Sequence, residues 1–174
     1  MKKLLIIVAV ILGINSTQAQ SFFKWNDNEE TFISLRLDPT FDDKGFQIGA
    51  EITKELLWGW VSMGISHYEE LTPSYTDIVG SGGINFHLFN TDAVKYYAGT
   101  RIGTLLREGN PFPLVGFVVG IDIKLFDNIS LGLRAFPDYR GDQAKPMYGG
   151  KKDNLIWNND NVVENGEILL TFRL

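Results

Sequence analysis

The sequence contains no cysteine. A secreted chain without disulfides must be stabilised by other means, and a closed β-sheet is one of them. The sequence also lacks a glycine-rich phosphate loop after a predicted strand and an HExxH zinc motif, and it has only two histidines, His67 and His87. We therefore predict no metal site, no cofactor and no enzymatic activity.

Long apolar runs are absent beyond the first twenty residues. Lys2 and Lys3 precede a short apolar stretch, residues 4–14, and the small residues Thr17 and Ala19 follow it. This order predicts a secretory signal peptide over residues 1–19, exported by the Sec route and cleaved after Ala19, because the stretch is shorter than the roughly 20 residues of a membrane-spanning helix. No cysteine follows the cleavage site, which excludes a lipoprotein anchor.

The mature chain is acidic. Lys2 and Lys3 are the only charges of the signal peptide, so its removal changes the formal net charge from −5 to −7. An acidic chain is a poor ligand for nucleic acid, and we predict no nucleic-acid partner. No mature run reaches eighteen apolar residues, which argues against helical membrane spans. A closed barrel is then the remaining way to cross a bilayer, because lipid cannot satisfy unpaired backbone groups.

Alternation of apolar and small or charged residues is clearest over residues 113–124, PLVGFVVGIDIK. Because successive side chains of a strand point to opposite faces, one face is apolar and the other carries glycine and charge. Related patterns predict eight strands, at about 31–37, 45–54, 58–68, 76–88, 93–105, 113–124, 129–136 and 163–174. Residues 20–30 form a polar lead-in that we leave unassigned, and residues 31–174 form the barrel.

The connections between these strands alternate in length. Long connections are predicted at 38–44, 69–75, 107–112 and 137–162, and short ones at 55–57, 90–92 and 127–128. Outer-membrane barrels have an even number of strands, short periplasmic turns and longer outer loops. The sequence therefore predicts an all-β fold, an eight-stranded antiparallel up-and-down transmembrane β-barrel with a porin-like wall.

The last seven residues, Ile168–Leu174 (ILLTFRL), place four apolar side chains on one face and end the chain on that face. This segment resembles the terminal strand of bacterial outer-membrane barrels, and residues 31–174 resemble the small eight-stranded outer-membrane barrel family. The resemblance implies a location in the cell outer membrane of a Gram-negative bacterium. It also implies contact with outer-membrane lipid and lipopolysaccharide and recognition by the barrel assembly machinery of the cell envelope.

The charged side chains of the predicted strands fall on the inward face. Strict alternation places nine of them in the lumen: Arg36, Glu51, Lys95, Arg101, Asp122, Lys124, Arg134, Glu167 and Arg173. It also places Trp58 and Trp60 inside. The interior of an eight-stranded barrel is just wide enough to be filled by side chains, and unpaired charges there are costly. We therefore predict a plugged polar lumen with paired charges and no open pore.

The long connection 137–162 mixes aromatic and basic residues that can bind a partner: Tyr139, Arg140, Tyr148, Lys151, Lys152 and Trp157. The preferred interpretation is a non-enzymatic barrel that is structural or binds an unknown extracellular ligand through its loops. Two alternatives remain open. One is a lipid A-modifying acyl hydrolase or transferase that uses His67 with Glu69 and Ser74. The other is a soluble, secreted lipocalin-like barrel, in which the apolar face would line a cavity for an apolar ligand.

Overall fold

The computed structural model describes residues 23–25, 28–38, 46–69, 74–88, 92–145 and 162–174, so the predicted signal peptide lies outside the described residues. Nine strands occur in this part of the chain: β1 (Phe23–Lys24), β2 (Thr31–Asp38), β3 (Phe46–Glu55), β4 (Gly59–Glu69), β5 (Tyr75–Leu88), β6 (Val94–Arg107), β7 (Asn110–Phe126), β8 (Ile129–Arg140) and β9 (Val162–Arg173). Among the described residues, no helix is long and apolar enough to cross a membrane.

Strands β2 to β9 form one closed antiparallel sheet. Each pairs with its neighbours in sequence, and β2 closes the cylinder by pairing with β9, where Ile33 lies opposite Phe172. Closure leaves no free sheet edge along the wall, which is how a barrel satisfies its backbone groups. The prediction of an eight-stranded up-and-down barrel is confirmed. We call the end that carries Glu30 and Leu174 the terminal end, and the end that carries Arg107 and Arg140 the distal end.

The two faces of the wall have opposite chemistry. Apolar side chains on every barrel strand point outward and are exposed, among them Leu35, Ile52, Met63, Ile84, Ile102, Phe117, Leu133 and Leu170. Charged and polar side chains alternate with them and are buried in the lumen. The period-two pattern of the sequence therefore determines which face each side chain occupies, as the pleat of a strand requires. A lipocalin-like cavity for an apolar ligand is not compatible with this arrangement, because the interior is filled by charged side chains together with packed aromatic and aliphatic ones such as Trp60, Val118 and Phe136.

Inward-facing glycines make room for large side chains of neighbouring strands. A Cβ atom at Gly64 would lie 2.7 Å from the Arg36 guanidinium, and one at Gly120 would overlap the Tyr97 ring. These contacts explain why the inward face carries so many glycines: a narrow barrel has no other space for arginine and tyrosine.

The predicted loop 107–112 is wrong. Strand β6 continues to Arg107, β7 begins at Asn110, and only Glu108 and Gly109 lie between them. Both have positive φ, 51° and 77°, the backbone of a tight hairpin turn whose twist matches that of the strands. The predicted alternation of long and short connections therefore fails at this turn, although the turn at Asp127 and Asn128 between β7 and β8 is as short as predicted.

The predicted irregular stretch 137–162 is also shorter than expected. Strand β8 extends through Pro137 to Arg140, followed by a short 3₁₀ helix at Gly141–Ala144. Proline is tolerated at 137 because the pairing of β7 with β8 is interrupted between Gly116–Asp138 and Val119–Ala135, so the missing amide hydrogen falls where that ladder has a gap. Trp58 is a second correction: it precedes β4 and is 65% exposed, whereas Trp60, two residues later, is inside and 4% exposed. Alternation does not extend to Trp58 because it lies in the turn.

The polar lead-in, left unassigned from the sequence, contains β1. Phe23 and Lys24 pair with Leu88 and His87 at the end of β5, beyond the point where β4 begins. Trp25 and residues 28–30 lie between β1 and β2 in the chain, and the Glu30 carbonyl accepts a hydrogen bond from the Glu55 amide. The lead-in therefore joins two separate strands at the terminal end.

Candidate functional site

The centre of the lumen is occupied by two arginine–carboxylate pairs. Arg134 donates two hydrogen bonds of 2.8 Å to Glu51, and Arg36 donates hydrogen bonds of 3.0 and 3.1 Å to the two oxygens of Glu167. The pairs are linked, because the second Glu167 oxygen lies 3.8 Å from Arg134. All four side chains are buried. Bidentate pairs of this kind have the geometry that compensates buried charges best.

A second charged group lies toward the terminal end of the lumen. The Lys95 ammonium contacts Glu55 and lies 3.0 Å from Asp122. Two members of the predicted set lie farther out: Lys124 pairs with Asp127 in the turn after β7, and Arg173 pairs with Glu30. Both are about half exposed at the rim. The structure thus places seven of the nine predicted lumen charges inside and two at the rim.

A polar cluster adjoins the central pairs. Gln47 donates to Asp77 at 2.9 Å, and Ser66 contacts both of these side chains. Asp77 is buried, and its carboxylate is held by neutral donors. The cluster fills the lumen between β3, β4 and β5 with satisfied hydrogen bonds, as a packed polar interior requires.

Arg101 lies toward the distal end in a different environment. Its guanidinium stacks on the Phe136 ring, with 3.8 Å between the Cζ atom and the ring centre, and lies 3.4 Å from Asp138. None of its three nitrogens donates a hydrogen bond to a residue in the described part of the chain. Stacking on an aromatic face and an opposite charge therefore compensate this buried cation.

The distal end is closed by Asp142 of the 3₁₀ helix. Arg107 and Arg140 both donate to its carboxylate, at 2.8 and 2.9 Å, and Arg140 also donates to the Tyr75 hydroxyl at 3.1 Å. Arg140 is therefore a buried lumen residue and not part of an exposed binding loop. Tyr139 is half-buried on β8, and the other predicted binding residues lie outside the described residues: Tyr148, Lys151, Lys152 and Trp157.

Six buried charges were not predicted from the sequence: Glu55, Asp77, Arg107, Asp138, Arg140 and Asp142. Most lie just beyond the predicted strand ends and keep the inward parity of the strand. Arg107, for example, continues the series Arg101, Gly103 and Leu105 along β6. Carrying the alternation past the presumed loops would have identified them. Asp77 differs, because it lies within the predicted strand 76–88 on the same parity as Asn85, so alternation alone places it inside. Asp142 also differs, because a 3₁₀ helix places it and no period-two pattern does.

A cavity of about 280 Å³ opens at the terminal end of the barrel. The lead-in contributes Trp25 and Glu30 to its wall, and the strand ends contribute Lys95 and Asp122. His87 also lines it, and its Nδ1 atom lies 3.2 Å from the Val94 carbonyl. Within the described ranges, no group of three or more histidine, aspartate or glutamate side chains has an arrangement that would hold a metal ion.

His67 lies outside the lumen, on the outward face of β4 near the distal end. Its Nδ1 atom is 2.9 Å from the Thr76 hydroxyl on β5, and both strands carry apolar neighbours at this height. Ser74 and Glu69, the other members of the predicted acyl-transfer set, are exposed. Within the described part of the chain, His67 is hydrogen-bonded to Thr76, which was not among the predicted residues, and not to Ser74 or Glu69.

Comparison with known proteins identifies the fold. No family model matches the sequence, and no curated protein matches it. A solved chain from a de novo design of transmembrane β-barrels has a TM-score of 0.57 and 9% identity, covering 86% of this chain and 99% of that one. The outer membrane enzyme PagL has a TM-score of 0.54 and 11% identity, covering 81% and 98%. Neisserial surface protein A has a TM-score of 0.49 and 14% identity, covering 89% and 97%.

Proposed function

We propose that the protein is a non-enzymatic barrel of the outer membrane of a Gram-negative bacterium. Its wall contacts membrane lipid and lipopolysaccharide, its lumen is plugged by ion pairs, and its distal end presents connections to the outside for structural roles or binding. The proposal rests on one observation: the distribution of apolar and charged side chains is the reverse of that in a soluble protein. Apolar side chains cover the outside of a closed sheet whose inside holds the charges.

The apolar outer face of the barrel is suited to contact with lipid. A monomeric soluble protein rarely exposes a continuous apolar band, whereas a transmembrane barrel requires one about 25 Å tall. Seven of the eight barrel strands are long enough for it, with 10 to 17 residues where a tilted membrane strand needs about 9–11, and β2 has 8 described residues. Both ends of the barrel-forming chain then lie at the periplasmic side, where the assembly machinery would receive the C-terminal strand β9.

The proposal is tested by fractionating cell membranes and running the protein on a detergent gel with and without boiling. We expect it in the outer membrane, with a mobility shift on boiling, because closed barrels resist unfolding in detergent. Ile102→Arg should reduce the fraction that shifts, because Ile102 is 69% exposed on the outer face of β6 and arginine there costs about 2–4 kcal/mol in the bilayer. Glu108→Arg, in the distal turn, is the matched control and should not. Recovery in the soluble periplasm without a shift would contradict the proposal.

A second candidate function rests on the contact between His67 and Thr76. An imidazole beside a hydroxyl is the minimal arrangement for activating a nucleophile in acyl transfer, and here it lies on the outward face. Expression of the protein would then change the mass of lipid A, and His67→Ala would abolish that change. We expect no such mass change, and observing one that depends on His67 would replace the non-enzymatic proposal.

A further inference from the structure

The distal end of the barrel is closed by a segment that is not part of its wall. The wall closes through strand pairing, and the ladder between β7 and β8 begins with Leu114 opposite Arg140. The 3₁₀ helix follows that pair, and together with Lys145 it forms residues 141–145, which we call the distal cap. The Lys145 amide donates a hydrogen bond to the Asp142 carbonyl within the cap itself. Lifting the cap would therefore leave the strand ladders of the wall intact.

The distal cap is held to the wall by the side chain of Asp142. Its carboxylate accepts hydrogen bonds from Arg140, two residues before it in the chain, and from Arg107 at the end of β6. The bond to Arg140 is local, so the 2.8 Å bond from Arg107 is the one that ties the cap to a distant part of the wall. Gly141 packs closely as well, because a Cβ atom there would lie 2.6 Å from the Pro113 ring. Closure of the cap therefore depends mainly on one carboxylate.

This ion pair differs from the central pairs in what its separation costs. Central pairs such as Arg134 with Glu51 join two strands of the wall, and both side chains stay buried while the sheet is closed. When the cap lifts, Asp142 leaves with it and Arg107 remains at the open end of the barrel, where water can hydrate it. Rehydration removes most of the penalty that makes a separated buried pair costly. The cap should therefore open at a lower free energy than the barrel unfolds.

A packed group, which we call the distal cluster, lies beneath the cap and consists of Tyr68, Tyr75 and Leu105. Leu105 is the next inward residue after Arg107 on β6 and is 0% exposed, and the two tyrosine rings stack with their centres 4.9 Å apart. The Tyr75 hydroxyl accepts a 3.1 Å hydrogen bond from Arg140, so the cluster adjoins the residues that bind the cap. Opening the cap would therefore expose the cluster first.

We propose that the distal cap is a latch that opens and closes on the folded barrel and controls access to the distal half of the lumen. In the closed state Asp142 binds Arg107 and the cap covers the distal cluster. In the open state the cluster is the aromatic floor of a recess, and the central ion pairs still close the barrel below it. The latch deepens the binding role proposed for the distal end and rests on that proposal for the side of the membrane on which it opens.

Thiol labelling tests the latch, because the chain has no cysteine and a single introduced thiol reports only its own accessibility. Leu105→Cys places the thiol beneath the cap, and Val118→Cys places a matched thiol in the central core, where the native side chain is also 0% exposed. The rate of reaction with a charged methanethiosulfonate reagent is measured on the folded, purified protein in detergent. We expect Leu105→Cys to react faster, because Val118→Cys becomes accessible only when the barrel itself opens.

Releasing the latch should accelerate labelling only beneath the cap. Asp142→Asn should raise the rate for Leu105→Cys by about tenfold or more, since a loss of about 1.4 kcal/mol in closing free energy raises the open population tenfold. The same change should leave the rate for Val118→Cys unaltered. Lys124→Gln removes an ion pair at the terminal rim and is the control that should not accelerate Leu105→Cys.

Folding of each variant is checked by the boiling shift on a detergent gel. If Asp142→Asn does not fold, Arg107→Gln takes its place, because it breaks the same contact from the side of the wall. An unchanged rate for Leu105→Cys in the released variant would overturn the proposal. Equal acceleration of both thiols would also overturn it, because it would show that the whole barrel is destabilised. Since labelling is measured in detergent, either result is distinct from a failure of the proposed membrane location.

Discussion

At the residue scale, the sequence predicted which charged side chains lie in the lumen, but not which of them form ion pairs with each other. Alternation along β3 places Glu51 inside, and alternation along β8 places Arg134 inside. The two strands are not neighbours in the sheet, and the side chains meet across the lumen. Which charges face each other depends on how far the strands are staggered on closure, a property of the whole cylinder. This stagger cannot be derived from the spacing of residues in the sequence.

Glu51 should contribute strongly to the stability of the barrel, although the barrel should still form without it. In Glu51→Gln the Arg134 guanidinium loses its bidentate partner while it stays buried, which should cost about 3–5 kcal/mol. Urea unfolding in detergent micelles measures this loss. Replacing both partners, as in Glu51→Gln with Arg134→Met, should recover part of it because no uncompensated charge remains. A double variant as unstable as the sum of the single variants would contradict this account.

Gly120 is expected to be a position that accepts no side chain. It lies opposite Tyr97, whose ring occupies the space of the missing Cβ atom and whose hydroxyl accepts a 3.3 Å hydrogen bond from Arg134. Gly120→Ala should therefore cost about 1–3 kcal/mol in the same unfolding experiment through overpacking. Gly80→Ala is the control, because the nearest atoms to its Cβ would be 3.8 and 3.9 Å away. Similar losses in both variants would point to a general effect of glycine on the strands.

At the scale of elements, the sequence indicates the middle of each strand better than its ends. Residues 113–124 were predicted from alternation, yet β7 begins at Asn110 and ends at Phe126. Polar and proline residues near 107–112 resemble a loop, but in the structure they pair along the wall and only Glu108 and Gly109 turn. Proline is accommodated there because the pairing of β7 with β8 begins only at Leu114, so Pro111 and Pro113 lie in a segment that is paired on one side, with β6. Local composition therefore predicted the wrong position for the end of the strand pairing between β6 and β7.

The turn between β6 and β7 contains a residue whose backbone conformation is unfavourable for its type. Glu108 has a φ of 51°, a conformation that asparagine and glycine adopt far more readily than glutamate. Glu108→Asn should create the Asn-Gly pair preferred in such turns and stabilise the barrel by about 0.5–1 kcal/mol. Thermal unfolding, followed by loss of the fast-migrating gel band, measures the gain. A lower unfolding temperature would mean that the glutamate side chain contributes more than its backbone costs.

At the scale of the whole molecule, the fold class followed from the sequence because each level of the pattern agreed. Most glycines and charges of the barrel strands fell on the inward parity and most large aliphatic residues on the outward parity, so a closed sheet with its charges inside satisfied both. The cavity at the terminal end could not be predicted in the same way. It depends on Trp25, Asn28 and Glu30 of the lead-in, which no period-two pattern places, and on the pairing of β1 with β5.

The plugged lumen leads to a prediction about conduction. Charged groups lie one behind another along the lumen, from Lys95 through Arg134 and Arg36 to Arg107 with Asp142, and an ion would have to displace each of them. Pure protein in planar bilayers should therefore show no steady, large single-channel conductance. Shortening only the four central side chains to serine, at Arg36, Glu51, Arg134 and Glu167, should not by itself produce such a conductance, because Arg107, Arg140 and Asp142 still close the distal end. A steady, large conductance in the unmodified protein would mean that the ion pairs move aside readily and that the barrel is a channel.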